Sequence, residues 1–391
     1  MIALGRVVVF GSVAVGLLML GGCSRVASKA TVVWQWHQGN TELYHPRVSP
    51  DGTEIALVRK HHIPDGHEAE SIPEEQMQKE FRHIDQDERY ADPEVVVLRV
   101  GSDQVTQIDW GWAPVFSPDG GQIAYAHQKK PLSRFRILAE TLAGNDIRIY
   151  DRTRRATGVV AVPEAGYLAD PMFAPGGRHL VYSIGGAVNG AYGGNIGLAR
   201  VALDSHRIEL LYPVSRDYNL YHLIDPKGFV SGRLLAVRQR PATPGYYLAD
   251  EYDCELLEIG PPPTVVYSWG RRKLSGRTGL AFAQGADGKV LVYHTAWRAV
   301  GEEATGPAAS ATDQSAGLPS PNGVLVAVGS ESRVTVRELQ SGVVRREWNF
   351  GGPVQHIAWS PDSRRLAVIV TNYRDREEEI FDFDELLVLE P

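Results

Sequence analysis

Cysteine is nearly absent from this 391-residue chain, which has only Cys23 and Cys254. Two cysteines this far apart make no disulfide framework, and Cys254, in the apolar stretch DCELLEI, reads as a small core residue. A basic excess is missing too: 40 Lys and Arg against 47 Asp and Glu give a formal charge of −7. With no basic stripe interleaved with aromatics, nucleic acid is excluded as a main partner. The sequence has no G-x-S-x-G elbow and no trailing α/β segment, so a fused hydrolase half is not expected. No HExxH or comparable local metal motif occurs either. The Gly-rich run at 185–197 leads into a strand pattern rather than a helix start, so it reads as a loop and not as a nucleotide phosphate cradle.

What is present is a phrase that recurs from one end to the other: an apolar strand, a Ser-Pro-Asp-Gly turn, and a second alternating strand. It stands at Ser49-Pro50-Asp51-Gly52, at Ser117-Pro118-Asp119-Gly120 and at Ser360-Pro361-Asp362-Ser363. Degenerate copies lie at Ala174-Pro175-Gly176-Gly177, Asp225-Pro226-Lys227-Gly228, Gly285-Ala286-Asp287-Gly288 and Ser320-Pro321-Asn322-Gly323. Pro presets φ at the first turn position, the Asp carboxylate accepts from backbone two residues on, and Gly or Asn takes the positive φ. The flanking strands alternate with period two, as half-buried strands must. From Pro50 to Pro361 the six intervals average about 52 residues, a period of propeller arrays with room for four strands per unit.

The last unit runs out of chain after its third strand, ELLVLE, while a spare strand, Thr31–Trp36, precedes the first unit. Pairing the two would close a ring without an open sheet edge. The expected fold is therefore all-β: a closed propeller of seven four-stranded blades, or six if the weak stretch Ala296–Ala316 carries none. Short helices are expected in the insertions. These hairpins resemble the WD-like repeats of TolB-like β-propellers over residues 31–391, a resemblance that implies a disc used mostly for binding. Related propellers serve as non-catalytic halves of prolyl-oligopeptidase-like enzymes.

A charged start, an apolar stretch at residues 7–20 too short to span a bilayer comfortably, and then Leu20-Gly21-Gly22-Cys23 complete the N-terminus. This resembles the signal and lipobox of bacterial lipoproteins. The resemblance implies a signal peptide at 1–22, an acylated Cys23 with spacer to residue 30, and a propeller domain at 31–391. Removing 1–22 takes out one Arg and moves the charge from −7 to −8. The implied location is extracytoplasmic on a membrane, the outer one if two are present, since Ser24 rather than Asp follows the Cys.

Every long insertion follows a second strand, at 62–92, 129–144, 185–194, 240–250 and 296–316, which would gather them on the face opposite the turns. Two carry helical apolar stripes, Met77–Phe81–Ile84 and Phe135–Leu138–Leu142. Four residues before the Ser-equivalent position, His45, Asp170, Tyr221 and His356 would ring the central channel. The expected binding surface is Tyr44, His45, Trp112, Asp170, Tyr221 and His356 at the channel mouth, with Met77, Phe81, Phe135 and Leu138 from the lids. Its expected partner is an envelope protein or glycan, and no cofactor is expected. The alternative is a metal-dependent envelope enzyme, such as a polysaccharide lyase or hydrolase, with His45, Asp170 and His356 as ligands.

Overall fold

The computed structural model describes residues 32–37, 41–61, 93–128, 145–164, 166–188, 191–214, 223–241, 251–273, 282–284, 287, 289–293, 297–300, 317–376 and 379–391. Every helix or strand among them is a strand. The expected lid helices, with Met77, Phe81, Phe135 and Leu138, lie outside the described residues, as does Tyr221.

The chain opens with β1 (Val32–His37) and then β2 (Thr41–Val48), β3 (Glu54–His61) and β4 (Glu94–Arg99), the last three paired antiparallel in order. β5 (Val105–Phe116) belongs to two groups at once. Its first half pairs with β4 and its second half, from Gly111, with β6 (Gln122–His127), which continues to β7 (Asp146–Asp151) and β8 (Ala156–Ala161). Next come β9 (Tyr167–Phe173), β10 (His179–Val188), β11 (Ala191–Ala202) and β12 (Ile208–Tyr212), and then β13 (Leu223–Val230), β14 (Arg233–Pro241), β15 (Glu251–Glu258) and β16 (Thr264–Lys273). A short sheet of β17 (Phe282–Gln284), β18 (Val290–Tyr293) and β19 (Trp297–Ala299) precedes β20 (Leu318–Pro319), β21 (Leu325–Ser330), β22 (Arg333–Glu338) and β23 (Val344–Asn349). β24 (Val354–Trp359), β25 (Leu366–Arg376) and β26 (Glu379–Leu389) finish the chain. β1 adds to the far side of β26, so the N-terminal strand completes the C-terminal sheet as the sequence led one to expect.

The turn phrase folds for the reasons its residues supply. Ser49 Oγ donates to Asp51 Oδ1 at 2.6 Å and accepts from Glu54 N–H at 2.9 Å, while Asp51 Oδ1 also accepts from Thr53 N–H. The same closure recurs at Ser117/Asp119, Ser320/Asn322 and Ser360/Asp362. Gly52, Gly120 and Gly323 supply positive φ there, and Ser363 adopts it at 61° without being glycine. The turns also touch in sequence around one face: Gly120 abuts Pro50 and Gly177 abuts Pro118.

Apolar side chains fill every gap between successive sheets. Ala56 and Val97 meet Phe116 and Ile123; Ala126 and Ile147 meet Leu168 and Leu180; Leu198 and Tyr212 meet Ile224 and Leu257. Trp269 packs with Val290 and Val292, Leu291 with Val326 and Val328, and Val336 and Trp348 with Trp359 and Leu387. Finally Leu43, Ile55 and Leu57 of the first sheet pack on Trp36, Ile369, Leu386 and Val388 of the last. The result is a propeller-like ring whose ends meet.

Three local expectations need correction. Asp225-Pro226-Lys227-Gly228 is not a turn: it lies within β13, where the pairing slips between Pro226 and Gly228, and the reversal comes later at Ser231-Gly232, both at positive φ. Two residues with positive φ in succession suit a tight hairpin, and Ser-Gly provides them. The stretch 185–194 is no simple loop, because β10 and β11 carry their pairing out to Val188↔Ala191. The region after Ala296 begins with a strand, β19, which pairs with β18.

Candidate functional site

Three inner strands share one device. In β2, β5 and β9 the pairing slips at His45-Pro46, Ala113-Pro114 and Asp170-Pro171. Proline cannot donate to a ladder and is accommodated at bulges. The residue before each proline holds positive φ, at 50°, 50° and 47°. A non-glycine residue there costs on the order of 1–3 kcal/mol, and such strain gathers where function needs a side chain re-aimed. β13 departs from this pattern: Asp225 and Pro226 stay paired with Val237 and Ala236, and the slip falls after Pro226.

His45, one of these residues, belongs to a cluster of rings at the inner strands. His45 and His356, from the first and last sheets, have ring centroids 5.7 Å apart. Tyr44 stands edge-on to His356 at 5.8 Å and to Trp112 at 6.2 Å. Four of the six predicted channel-mouth residues therefore form one cluster. Asp170 exerts its charge on Arg47. β2 and β9 lie in sheets that are not neighbours, so this attraction runs across the middle of the ring. Arg47 is exposed, yet desolvation still lowers its pKa against the opposing pull of Asp170. A side chain in an open channel, reachable by water and surrounded by protein, behaves in this way.

Lys60 was not picked out by sequence reasoning. Its ammonium sits 5.5 Å from the ring centroids of both Tyr44 and Trp112, within cation–π range. Tyr44 also donates its hydroxyl to Glu42. The signal for Lys60 lay in strand register, since Lys60 is the cross-strand partner of Glu42, two residues from Tyr44. Trp112 is fixed by donating Nε1–H to Gln128 Oε1 at 2.7 Å, and Gln128 is buried.

Polar networks stiffen the strands beneath. Buried Glu94 accepts from Arg59 Nε at 2.9 Å and lies 3.5 Å from His61 Nε2. Burial pushes its pKa up, but His61 and Arg59 outweigh that and leave it lowered. Asp109 accepts from the Tyr125 hydroxyl at 2.7 Å and from Arg148 at 3.1 Å, with His127 Nδ1 at 3.4 Å. Burial opposes its ionisation, yet hydrogen bonds from His127, Tyr125 and the Trp110 N–H hold it far below the usual carboxylate range. Tyr125 is correspondingly pushed up by burial and by this carboxylate.

Among the described residues no group of three His, Cys, Asp or Glu side chains could hold an ion. The cluster can instead offer aromatic faces, an ammonium held against them and two imidazoles, a set suited to gripping a partner's polar and planar groups.

No family model matches the sequence, and no curated protein matches it. Among solved structures, hydrazine synthase of Kuenenia stuttgartiensis is similar at 12% identity, covering 88% of this chain and 94% of that one, with TM-score 0.48. The β-propeller domain of the Trilobed protease from Pyrococcus furiosus is similar at 11% identity, with coverage of 90% and 94% and TM-score 0.45. TolB from Acinetobacter baumannii is similar at 15% identity; the match covers 77% of this chain and 60% of that one, with TM-score 0.36. The propeller-like fold accordingly rests on the strand pairing and the recurring hairpin.

Proposed function

We propose that this chain is a lipid-anchored, cell-envelope β-propeller that binds a protein or glycan partner through its loop-rich face without catalysing a reaction. The observation that carries it is the Tyr44, His45, Trp112, His356 and Lys60 cluster, assembled from three sheets at the inner strands and fixed by bulges. Aromatic anchors held rigid in a concave setting are the usual source of binding energy. The sheet groups, counted with β5 shared between two, support a seven-bladed reading, with β17–β19 as the incomplete blade. Export and acylation at Cys23 rest on the N-terminal residues alone. The mature chain would be tethered to a membrane on its extracytoplasmic side.

A photo-crosslinking residue placed at Trp112, in cells expressing the full chain, tests the reading against the same residue placed at Val159 on the outer strand β8. Adducts of defined mass at position 112 alone support it. Turnover of envelope polysaccharides by the purified protein, abolished by His45→Ala or His356→Ala, would replace it with the metal-dependent enzyme reading.

A further inference from the structure

The outermost strand β1 starts at the turn side of the ring. Val32 pairs with Leu389, and Leu389 pairs with Leu366, three residues beyond Ser363 of the Ser360-Pro361-Asp362-Ser363 turn. The chain leading from Cys23 therefore joins the disc at its rim, on the edge of the turn face. Eight residues, 24–31, separate the two, a reach of at most about 28 Å. They carry Arg25 and Lys29 and no acid.

An apolar strip surrounds the point of entry. Val32 is 42% and Val33 40% exposed. On outer strand β23 of the adjoining sheet and the turn before it, Val343 and Val344 are 40% and 48% exposed, and Val324, beside the Asn322-Gly323 turn, is 47% exposed. The two sheets pack on one another, because Trp348 of β23 shares a buried cluster with Leu389, the partner of Val32. Val343 begins its strand at the same side of the ring as Val32, since its carbonyl accepts from the N–H of Glu338, which pairs with Leu325 just beyond the turn. Other outer strands expose aliphatic side chains too, Val159, Ile208 and Val265 among them. Among the described residues, the five valines of the strip lie on the two sheets beside the tether's entry.

We infer that Val32, Val33, Val324, Val343 and Val344 rest on the lipid surface, so that the disc stands tilted on this edge with its turn face toward the membrane and its loop-rich face away. The inference rests on acylation at Cys23, and it assigns an occupant that the tether holds within reach. Aliphatic side chains partition into the headgroup boundary, while Arg25 and Lys29 favour anionic lipid. The edge contact adds to acyl anchoring and fixes orientation, which a flexible tether alone would not do.

The test uses the full acylated chain in phosphatidylethanolamine and phosphatidylglycerol vesicles, with a fluorophore at Val344→Cys or, separately, at Val159→Cys. Mass analysis of the N-terminal peptide first establishes acylation; an unmodified Cys23 would sink the anchoring reading itself. With acylation present, a quencher confined to the headgroups should dim position 344 at least threefold more than position 159. Equal dimming at both positions would overturn the edge contact while leaving the anchor intact. As a second measurement, the soluble chain from Ser24 should bind the same vesicles about tenfold more tightly than its Val32→Ser, Val33→Ser, Val343→Ser, Val344→Ser variant. A dimer of the soluble chain that this variant abolishes would overturn the inference by assigning the strip to a second copy.

Discussion

The backbone N–H of Leu43 donates to Asp384 Oδ2 at 2.7 Å, joining residues 341 positions apart. Asp384 is buried, and its other oxygen accepts from the Thr371 hydroxyl at 2.6 Å. One carboxylate thus fastens the first sheet to the last on the inner side, while β1 fastens them at the rim. Arg365 adds a third link on the turn face, donating Nη1–H to the Gly52 carbonyl at 2.6 Å.

Asp384→Ala should therefore destabilise the protein by about 1–3 kcal/mol, because it leaves a buried N–H without an acceptor. Asp384→Asn keeps one acceptor oxygen and should lose less. Denaturant unfolding of both variants checks the order, and equal losses would show that the carboxylate bonds are not the cause.

Trp36→Ala removes a buried side chain from the cluster that joins the two chain ends. A loss of about 3–5 kcal/mol is expected, together with earlier proteolysis at the N-terminal strand. Limited digestion with mass mapping would show whether β1 is the first element released.

Gly111 sits where β5 passes from one sheet to the next, beside Trp112, and a Cβ there would collide with the Ala126 carbonyl. Gly111→Ala should cost about 1–3 kcal/mol and shift the Trp112 ring relative to Tyr44. Indole fluorescence and thermal unfolding report the two effects. A variant as stable as the parent would mean that the strands part here more easily than the structure implies.

The turn carboxylates set an acid limit. Hydrogen bonds from Ser49, Ser117 and Ser360 hold Asp51, Asp119 and Asp362 below their ordinary value of 3.8. Groups whose folded pKa is depressed contribute stability above the unfolded value and lose it as pH falls through the folded one. The triple variant Ser49→Ala, Ser117→Ala, Ser360→Ala should be less stable than the parent at pH 6, with the gap narrowing below pH ~3.8. Unfolding midpoints across pH 2–7 measure it; a gap independent of pH would assign the loss to the hydroxyl contacts with backbone alone.

Much of the fold was legible because turn chemistry is local. Ser, Pro, Asp and Gly in succession supply hydroxyl, fixed φ, carboxylate and positive φ to one another, so the phrase at 49–52 folds as its residues dictate. The spare strand ahead of the first unit was legible because the last unit, ending at ELLVLE, lacked a fourth strand. Reading failed at Asp225-Pro226, where a proline that marks a bulge looks, as sequence, like one that marks a turn. The candidate site was half legible. Tyr44, His45, Trp112 and His356 could be named from their offset to the turn, but Lys60 and Arg47 could not.

The sequence by itself therefore determined the hairpins, their repetition and the N-terminal strand that had to find a partner. Tertiary structure alone decided which side chains share the centre of the ring. Residues 45 and 356, or 47 and 170, have no local relationship; they meet only because packing between successive sheets bends the array into a circle.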